Sequence, residues 1–377
     1  MKIAILGTKG IPNNYGGYEQ FAEFISQRLV ERGHEVTVYN PSFHAYRGDH
    51  YNGVRIIRKF SPEKWIGGSA NFVYDFLCLK DALQRDFDVV YEAGYHSVAP
   101  AYRLLGVRKV KRPVVVTNMD GLEYNRSKWS SFTQQLIRVL ERIAVKDSPY
   151  MISDNLGIQE YYQKNFQRDS YFLPYGADPV HQPDAGHLDA YGVHPFRYVM
   201  LVARFEPENN LEMALDGFLS AKCPHPFLVV GNHDTRYGRW LKKKYPDERI
   251  RFVGGIYNKP VLDSVRHFAA AYFHGHSVGG TNPSLLEAMA CGAFIFAHNN
   301  AFNRKVLFDS AFYFDDAPQV AQLLSDLDDR RARHANQFAQ ENVERIRTDY
   351  AWDKIVDQHE SLFRALVGEM SPQKVRV

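Results

Sequence analysis

Short apolar segments alternate with helical repeats along the chain, and this alternation restricts the fold to a few arrangements. Apolar runs predict strands at residues 3–6, 36–39, 54–58, 89–91, 114–117, 151–153 and 171–173 in the first half, and at residues 198–202, 227–230, 250–252, 271–273 and 294–297 in the second. Strands separated by helices pair in parallel, because the helix carries the chain back across the sheet. The pattern therefore predicts an α/β protein with two doubly wound, Rossmann-like domains.

A stretch rich in proline and glycine, residues 174–186, interrupts the alternation and is typical of an interdomain linker. We predict an N-terminal domain over residues 1–178, a C-terminal domain over 179–350, and a separate amphipathic helix within 351–377. In such folds ligands bind at the carboxyl ends of the strands. Two domains in series are therefore expected to face each other across a shared ligand cleft.

The composition excludes several classes of protein. A hydrophobic content of 45% with 24% charged residues is that of a soluble globular protein, and no apolar run is long enough to cross a bilayer. The first strand is too short for the core of a signal peptide. Three dispersed cysteines indicate a reducing compartment without structural zinc, so a cytoplasmic location is expected. A net charge of +3 gives no reason to expect a nucleic-acid partner.

One local cluster of basic residues stands out between residues 103 and 112. Its members are Arg103, Arg108, Lys109, Lys111 and Arg112. The cluster could lie against an anionic membrane surface, or it could be a solvated basic loop.

The segment from His274 to Gly292 contains the strongest functional signal. A strand end is followed by a turn containing Gly279 and Gly280, and then by a helix with Asn282 as the predicted N-cap and Pro283 as its first residue. The free N–H groups and the dipole of such a helix start bind anions, above all phosphate. Glu287, about one turn into the helix, could hold a ribose diol. The alternative is a plain strand-turn-helix junction with a surface glutamate.

A second glycine-containing loop, residues 7–19, follows the first strand and opens the first helix. We interpret it as a loop that faces a phosphate and an acceptor, although a tight structural turn is the alternative. Its spacing is not that of a dinucleotide fingerprint, and no acidic residue ends the second strand. Both features are against an NAD-dependent dehydrogenase.

Charged residues also follow other strands. Arg204 comes directly after the first strand of the second domain, where its guanidinium could bind a diphosphate or could pair with Glu206 or Glu208 at the surface. Further strand ends in the first domain supply carboxylates that could act on a hydroxyl group, a histidine that could be an acid, a base or a packed polar residue, and an arginine that adds positive charge nearby. These candidates are Glu92, His96, Asp120, Glu123 and Arg126.

The sequence predicts no metal site and no cofactor. His274 and His276 form an H-x-H pair without a further ligand at metal-binding spacing. Two D-x-D matches, at residues 86–88 and 326–328, fall before a strand and within polar C-terminal helices, and both are interpreted as solvated surface.

Over nearly its whole length the chain resembles the family 4 glycosyltransferases of the GT-B architecture. Arg204 and Glu287 match the family's diphosphate-binding and ribose-binding positions, and Gly16-Gly17 with Glu19 is similar to its glycine loop. The helix beginning at Trp352 resembles the family's C-terminal helix, which crosses back onto the first domain. Two positions depart from the pattern. The lysine that follows the arginine is replaced around Asn209-Asn210, and the first glutamate of the E-x7-E motif is replaced by Gly279.

The resemblance implies anomer-retaining transfer of a sugar from a nucleotide diphosphate to a sugar hydroxyl. The combination of motifs is similar to a bacterial subgroup of rhamnosyltransferases, which are associated with dTDP-L-rhamnose and with acceptors carried on polyprenyl diphosphate. A deoxyhexose donor has fewer hydroxyl groups to bind, so the site could lack this glutamate and still hold the sugar. A UDP- or GDP-hexose donor, a sugar-nucleotide epimerase of the same architecture and a non-catalytic nucleotide-sugar-binding protein remain as alternatives.

Roles follow for individual residues. The predicted catalytic residues are Asp120 and Arg204. The predicted donor-binding residues are Gly16, Gly17, Arg204, Asn209, Gly279, Gly280, Thr281, Asn282, Ser284 and Glu287. The predicted acceptor-binding residues are Tyr15, Tyr18, Glu19, His96, Glu123 and Arg126.

Overall fold

A computed structural model describes residues 1–14, 16–119, 121–126, 129–221 and 223–369. The predicted catalytic Asp120 and the predicted acceptor residue Tyr15 lie outside the described residues. The described chain forms two compact units. One contains residues 1–124, 131–175 and the chain from residue 353 onward, and the other contains residues 125–130 and 176–352.

The first unit is built on an eight-stranded sheet. Its strands are β1 (Lys2–Leu6), β2 (Glu35–Pro41), β3 (His50–Tyr51), β4 (Val54–Lys59), β5 (Val89–Glu92), β6 (Val114–Asn118), β7 (Tyr150–Ser153) and β8 (Tyr171–Phe172). Its helices are α1 (Gly17–Glu31), α2 (Glu63–Ile66), α3 (Ala70–Leu83), α4 (Ala99–Leu104), α5 (Ser131–Asp147) and α6 (Leu156–Phe166). The strand order is β3-β4-β2-β1-β5-β6-β7-β8, and every pair is parallel except β3 with β4.

The second unit repeats this design with six parallel strands in the order β11-β10-β9-β12-β13-β14. Its strands are β9 (Val199–Val202), β10 (Phe227–Val230), β11 (Ile250–Gly254), β12 (Ala271–His274), β13 (Ile295–His298) and β14 (Phe312–Phe314). Its helices are α7 (Leu211–Ser220), α8 (Arg236–Lys244), α9 (Lys259–His267), α10 (Pro283–Ala290), α11 (Ala301–Leu307), α12 (Ala317–Ser325) and α13 (Leu327–Arg345). The last helix, α14 (Trp352–Glu369), belongs almost entirely to the first unit.

The structure confirms the predicted α/β class and each predicted strand, and it adds two strands that the sequence did not predict. β3 forms a hairpin with β4 through Asn52 and Gly53, which both have positive φ angles. Asn-Gly is a strong signal for such a two-residue turn, but the strand before it is too short to give a periodic pattern. β14 is a three-residue edge strand.

Aromatic residues make up 14% of the chain, and many of them pack in the cores of the two units. In the second unit Phe227, Phe273 and Phe296 pack in a chain whose neighbouring ring centroids are 5.4 Å apart. No helix in the described ranges is long and apolar enough to cross a membrane.

The amphipathic C-terminal helix α14 packs on the first unit. The His359 ring lies 5.5 Å from the ring of Phe21 and 5.9 Å from that of Tyr91. Glu360 accepts from Arg32 at 3.4 Å and lies 3.1 Å from Nε2 of His34. Apolar packing and these ionic contacts together fix the helix against α1 and the sheet.

We expect His359 to make the protein less stable in acid. Burial lowers the pKa of His359 to about 4, whereas an unfolded histidine titrates near about 6.5. As the pH falls from 6.5 towards 4, the unfolded chain binds a proton that the folded protein excludes, so the free energy of unfolding decreases. A His359→Gln variant, measured by urea unfolding at several pH values in this window, should show a shallower decrease. Equal slopes for variant and wild type would contradict this assignment.

Candidate functional site

The strand order of the second unit reverses between β9 and β12. From β9 the chain moves outward through β10 and β11, and it then returns to the other side of β9 as β12. In doubly wound sheets this reversal opens a crevice at the carboxyl ends of the two strands, where ligands bind. The loops that follow β9 and β12 are therefore the ones that can form a site in this unit.

These two loops are tied to each other by hydrogen bonds. Nδ2 of Asn210 donates to the carbonyl of Gly275 at 2.8 Å. The N–H and the hydroxyl of Ser277 both donate to the carbonyl of Glu208, at 3.1 and 2.8 Å. The contact is close because residue 275 is a glycine: a Cβ there would lie 2.2 Å from the carbonyl oxygen of Asn209.

Asn209 and Asn210 build the loop that follows β9. Nδ2 of Asn209 donates to the carbonyl of Arg204 at 2.7 Å, and its side chain is buried. Asn210 adopts the left-handed conformation, with φ of 51°, at the start of α7. The side-chain NH2 group of Asn209 thus already donates inside the loop. Its predicted contact with the sugar-nucleotide donor would have to use the side-chain oxygen.

Arg204 is exposed, and its guanidinium makes no hydrogen bond or ion pair with the described residues. The alternative partner Glu208 instead accepts from Nη1 of Arg126 at 3.1 Å. Arg126, predicted to contact the acceptor, is thereby held by a buried carboxylate. Of these two arginines, Arg204 keeps its full donor capacity for an anion.

Two stacked imidazoles lie where β12 ends. The rings of His274 and His276 are 4.4 Å apart and inclined by 16°. His274 is fully buried, and none of its ring nitrogens has a hydrogen-bond partner in the described chain. Burial lowers the pKa of both groups, and for His276 the charges of Arg204 and Arg126 lower it further, to about 3. Both rings are therefore neutral at neutral pH.

From the sequence, these histidines are considered only as metal ligands, and no metal site is predicted. The described ranges contain no group of three or more His, Cys, Asp or Glu side chains that could hold a metal ion. Arg204 and His276 follow β9 and β12, which are neighbouring strands, so the two residues lie on adjoining loops. Because both residues follow the end of a predicted strand, the sequence pattern could have suggested that they lie in the same crevice.

Helix α10 starts as the sequence predicted. Asn282 is the N-cap, its side-chain oxygen accepts from the N–H of Ser284 at 2.9 Å, and Pro283 follows as the first helical residue. Gly279, in the bend before Gly280, has a φ of 127°, and a Cβ there would meet no atom within 4 Å. Thr281 is buried. The missing glutamate therefore leaves open space before the positive end of the helix dipole.

A buried ionic network lies behind this helix start. Arg266 of α9 is 1% exposed, and its Nη2 lies 2.7 Å from Oε2 of Glu287 and 3.1 Å from the hydroxyl of Ser284. The Ser284 hydroxyl also lies 2.9 Å from that of Tyr272. The hydrogen-bonding groups of Ser284 are thus engaged within the unit. Arg266 binds one oxygen of Glu287, the residue predicted to hold the ribose. The sequence did not predict this role for Arg266, because the two residues are far apart in the chain and no local pattern connects them.

The glycine loop of the first unit is held by a buried carboxylate. Gly16 is the N-cap of α1 and Gly17 its first residue. Glu19 is buried, its Oε1 accepts from the N–H of Lys9 at 2.6 Å, and burial raises its pKa. Glu19 therefore helps to fix the loop, and its contact with an acceptor stays a prediction. Tyr18 in the same turn is only partly buried.

The first sheet reverses its strand order between β1 and β5. Here Gly7, with φ of 78°, touches Glu92 so closely that a Cβ would lie 2.2 Å from Oε1 of the glutamate. Neither oxygen of Glu92 has a hydrogen-bond partner in the described chain. Burial and the nearby Asp75 carboxylate raise the pKa of Glu92 well above its usual range, so it is a neutral acid.

The other predicted acceptor residues of the first unit are partly exposed. His96 stacks edge-on against Tyr95, with 5.6 Å between centroids, and Glu123 begins a 3-10 turn, Glu123–Asn125.

Two family models match the sequence. Residues 1–178 match the "Domain of unknown function (DUF1972)", and residues 212–361 match "Glycosyl transferase-like". None of the curated proteins matches the chain.

Solved structures match it over nearly its full length. Sucrose-phosphate synthase from Thermosynechococcus elongatus superposes with a TM-score of 0.77 at 17% identity, covering 98% of this chain and 99% of that one. HepE from Anabaena in complex with UDP-glucose gives 0.71 at 15%, covering 97% and 99%. WaaG, a glycosyltransferase involved in lipopolysaccharide biosynthesis, gives 0.68 at 14%, covering 98% and 100%.

These likenesses define the class of protein. The chain has the GT-B fold, with two doubly wound parallel-sheet units. Within it, residues 212–361 match the glycosyl transferase-like family model, and this segment contains the start of α10.

We expect Arg266 to stabilise the second unit strongly. Replacing it in Arg266→Met takes the buried cation away from Glu287, whereas Asp263 keeps its ion pair with Lys259, and the loss should cost about 3–5 kcal/mol. Arg333→Met is the matched control, because Arg333 is exposed and lies 3.9 Å from Asp329; such pairs contribute about 0–1 kcal/mol. Urea unfolding of both variants measures the difference, and a similar loss in both would show that the buried network adds little.

Proposed function

We propose that this protein is a glycosyltransferase that moves a sugar from a nucleotide diphosphate to an acceptor hydroxyl. The observation that carries the proposal is the unpaired guanidinium of Arg204 at the reversal of the second sheet, in the same crevice as the start of α10. A planar guanidinium and the free N–H groups of a helix start suit a diphosphate. The glycosyl transferase-like segment over residues 212–361 supports the same function.

Stabilising the leaving group is the main catalytic task in this mechanism. As the bond between the sugar C1 and the diphosphate breaks, negative charge grows on the diphosphate oxygen, and Arg204 with the helix N–H groups stabilises it. The acceptor oxygen bonds to C1 from the same face and its proton passes to the diphosphate oxygen, so the anomeric configuration is retained. Retention and the role of Asp120 in orienting the acceptor rest on the resemblance to family 4 glycosyltransferases. No metal ion takes part in this scheme.

The proposed donor is dTDP-L-rhamnose. Gly279 stands where related enzymes carry a glutamate for the donor sugar, and the space around it is open. A site with one carboxylate fewer holds fewer hydroxyls, which favours a deoxyhexose. The proposed acceptor is a sugar, free or carried on polyprenyl diphosphate, in the synthesis of a bacterial surface glycan.

A UDP-hexose is the second candidate donor, because the structure of HepE that resembles this chain contains UDP-glucose. An epimerase would turn over the nucleotide sugar without an acceptor, and a binding protein would not turn it over at all. Product analysis with and without an acceptor separates these possibilities.

Calorimetry with dTDP-rhamnose, UDP-glucose, UDP-GlcNAc and GDP-mannose tests the donor. We expect the tightest binding with dTDP-rhamnose and unchanged affinity after addition of EDTA. Tighter binding of a UDP- or GDP-hexose would overturn the rhamnose assignment, and loss of binding in EDTA would overturn metal independence.

Replacement of Arg204 tests the diphosphate site. Arg204→Ala removes hydrogen bonds to a charged group, which are worth about 1.5–3 kcal/mol each, so the Kd for the nucleoside diphosphate should rise about ten- to hundredfold. Arg333→Ala on α13 is the control and should leave the Kd unchanged. Equal Kd values for Arg204→Ala and wild type would remove Arg204 from the site.

A further inference from the structure

Helix α5 exposes large apolar side chains on one face. Phe132 is 78% exposed, and Leu136 and Val139 are each 47% exposed. Spacings of four and three residues place them in one row along the helix. A different face, with Ile137, Leu140, Ala144 and Val145, packs into the first unit. The exposed row is therefore a second apolar face that the fold does not cover.

Basic residues lie next to this apolar row, towards the end of α5. Arg142 and Lys146 follow on the adjoining side of α5 and are exposed. At its end Asp147 accepts from Arg103 of α4 at 3.1 Å, which joins α5 to the basic cluster at residues 103–112. Beside Arg103, Leu104 is 75% exposed. The remaining cations of the cluster, Arg108, Lys109, Lys111 and Arg112, are also exposed.

Few acidic residues lie within the two segments that form this surface, and the exposed Asp86 outside them pairs with Lys2. Residues 99–112 contain no Asp or Glu, and residues 131–147 contain only Glu141 and Asp147. Glu141 is buried, with a pKa that burial raises to about 7, and Asp147 is paired with Arg103. The exposed face is thus apolar at one end and cationic at the other.

The direction of α5 shows on which edge of the sheet the apolar and the basic ends of this face lie. α5 follows β6, so its first residues lie at the carboxyl edge of the sheet, where ligands bind. The basic residues just before β6 lie towards the opposite edge. The apolar end of the face is consequently the one nearer the ligand edge of this unit.

We propose that the α5 face, defined as Phe132, Leu136, Val139, Arg142 and Lys146 together with residues 103–112, docks on the surface of an anionic lipid bilayer. An apolar row flanked by lysine and arginine suits the boundary between headgroups and acyl chains. A second copy of this chain fits the charges less well, since self-association would bring the cations together. The surface goes beyond the proposed function, and only its use for reaching a lipid-linked acceptor rests on that function.

Co-sedimentation of the full chain with lipid vesicles tests the proposal. We expect binding to vesicles in which about a third of the lipid is phosphatidylglycerol, and much weaker binding to phosphatidylcholine alone, because the attraction to the cations is electrostatic. The paired variant Phe132→Ser with Leu136→Ser should bind about tenfold more weakly or worse, since two large apolar contacts are lost. The triple variant Lys109→Gln, Lys111→Gln, Arg112→Gln should lose the preference for anionic vesicles.

Leu219→Ser with Tyr257→Ser is the matched control, because these exposed apolar residues belong to the other unit. The control should bind like wild type. Absence of wild-type binding, or undiminished binding by the serine pair, would overturn the proposal. A wild-type dimer that dissociates in the serine pair, seen by sedimentation velocity, would overturn it in favour of self-association.

Nucleotide calorimetry on the same variants separates the two proposals. Lost vesicle binding with an unchanged nucleotide Kd supports the docking surface independently of the donor. If the wild-type protein binds vesicles but no nucleotide, the proposed function is contradicted and the docking surface is still supported.

Discussion

The parallel pairing of β9 with β12 is the constraint on which the second unit depends. Because the chain reverses between these two strands, the loops that follow them leave the sheet side by side. The hydrogen bond from Asn210 to the carbonyl of Gly275 then locks one loop to the other. Glycine at position 275 is required there, since any side chain would collide with the neighbouring backbone. Arg204 and the start of α10 therefore follow two neighbouring strands whose loops are hydrogen-bonded to each other.

Charge around this frame is distributed unevenly, and the distribution suits an anion. Arg266 and Arg126 each pair with a carboxylate, and the imidazoles of His274 and His276 are neutral because burial lowers their pKa values. Arg204 alone among these groups has a guanidinium without a partner in the described residues. An incoming diphosphate would neutralise a charge that the protein leaves uncompensated, at a helix end that already favours negative charge.

Local patterns were sufficient for the order of elements. The apolar pattern predicted twelve of the fourteen described strands, and the Asn282-Pro283 pair located the start of α10, because capping depends on neighbours in sequence. Partner choice for polar side chains was harder to predict. Glu19 and Ser284 are predicted ligand contacts, and the structure adds partners that the sequence did not indicate: the N–H of Lys9 for Glu19, and Arg266 and Tyr272 for Ser284. These partners lie ten or more residues away in the chain.

The sequence by itself determined the α/β class, the glycine turn before α10 and the position of Arg204 just after a strand, since each depends on periodicity or on adjacent residues. Only the tertiary structure decided that Arg204 is unpaired while Glu208 binds Arg126, and that Glu287 is anchored by a buried arginine from α9. It alone left the apolar row of α5 uncovered. The physical reason is that burial and ion pairing depend on which segments the folded sheet brings together, and residues distant in sequence leave no local signal of that proximity.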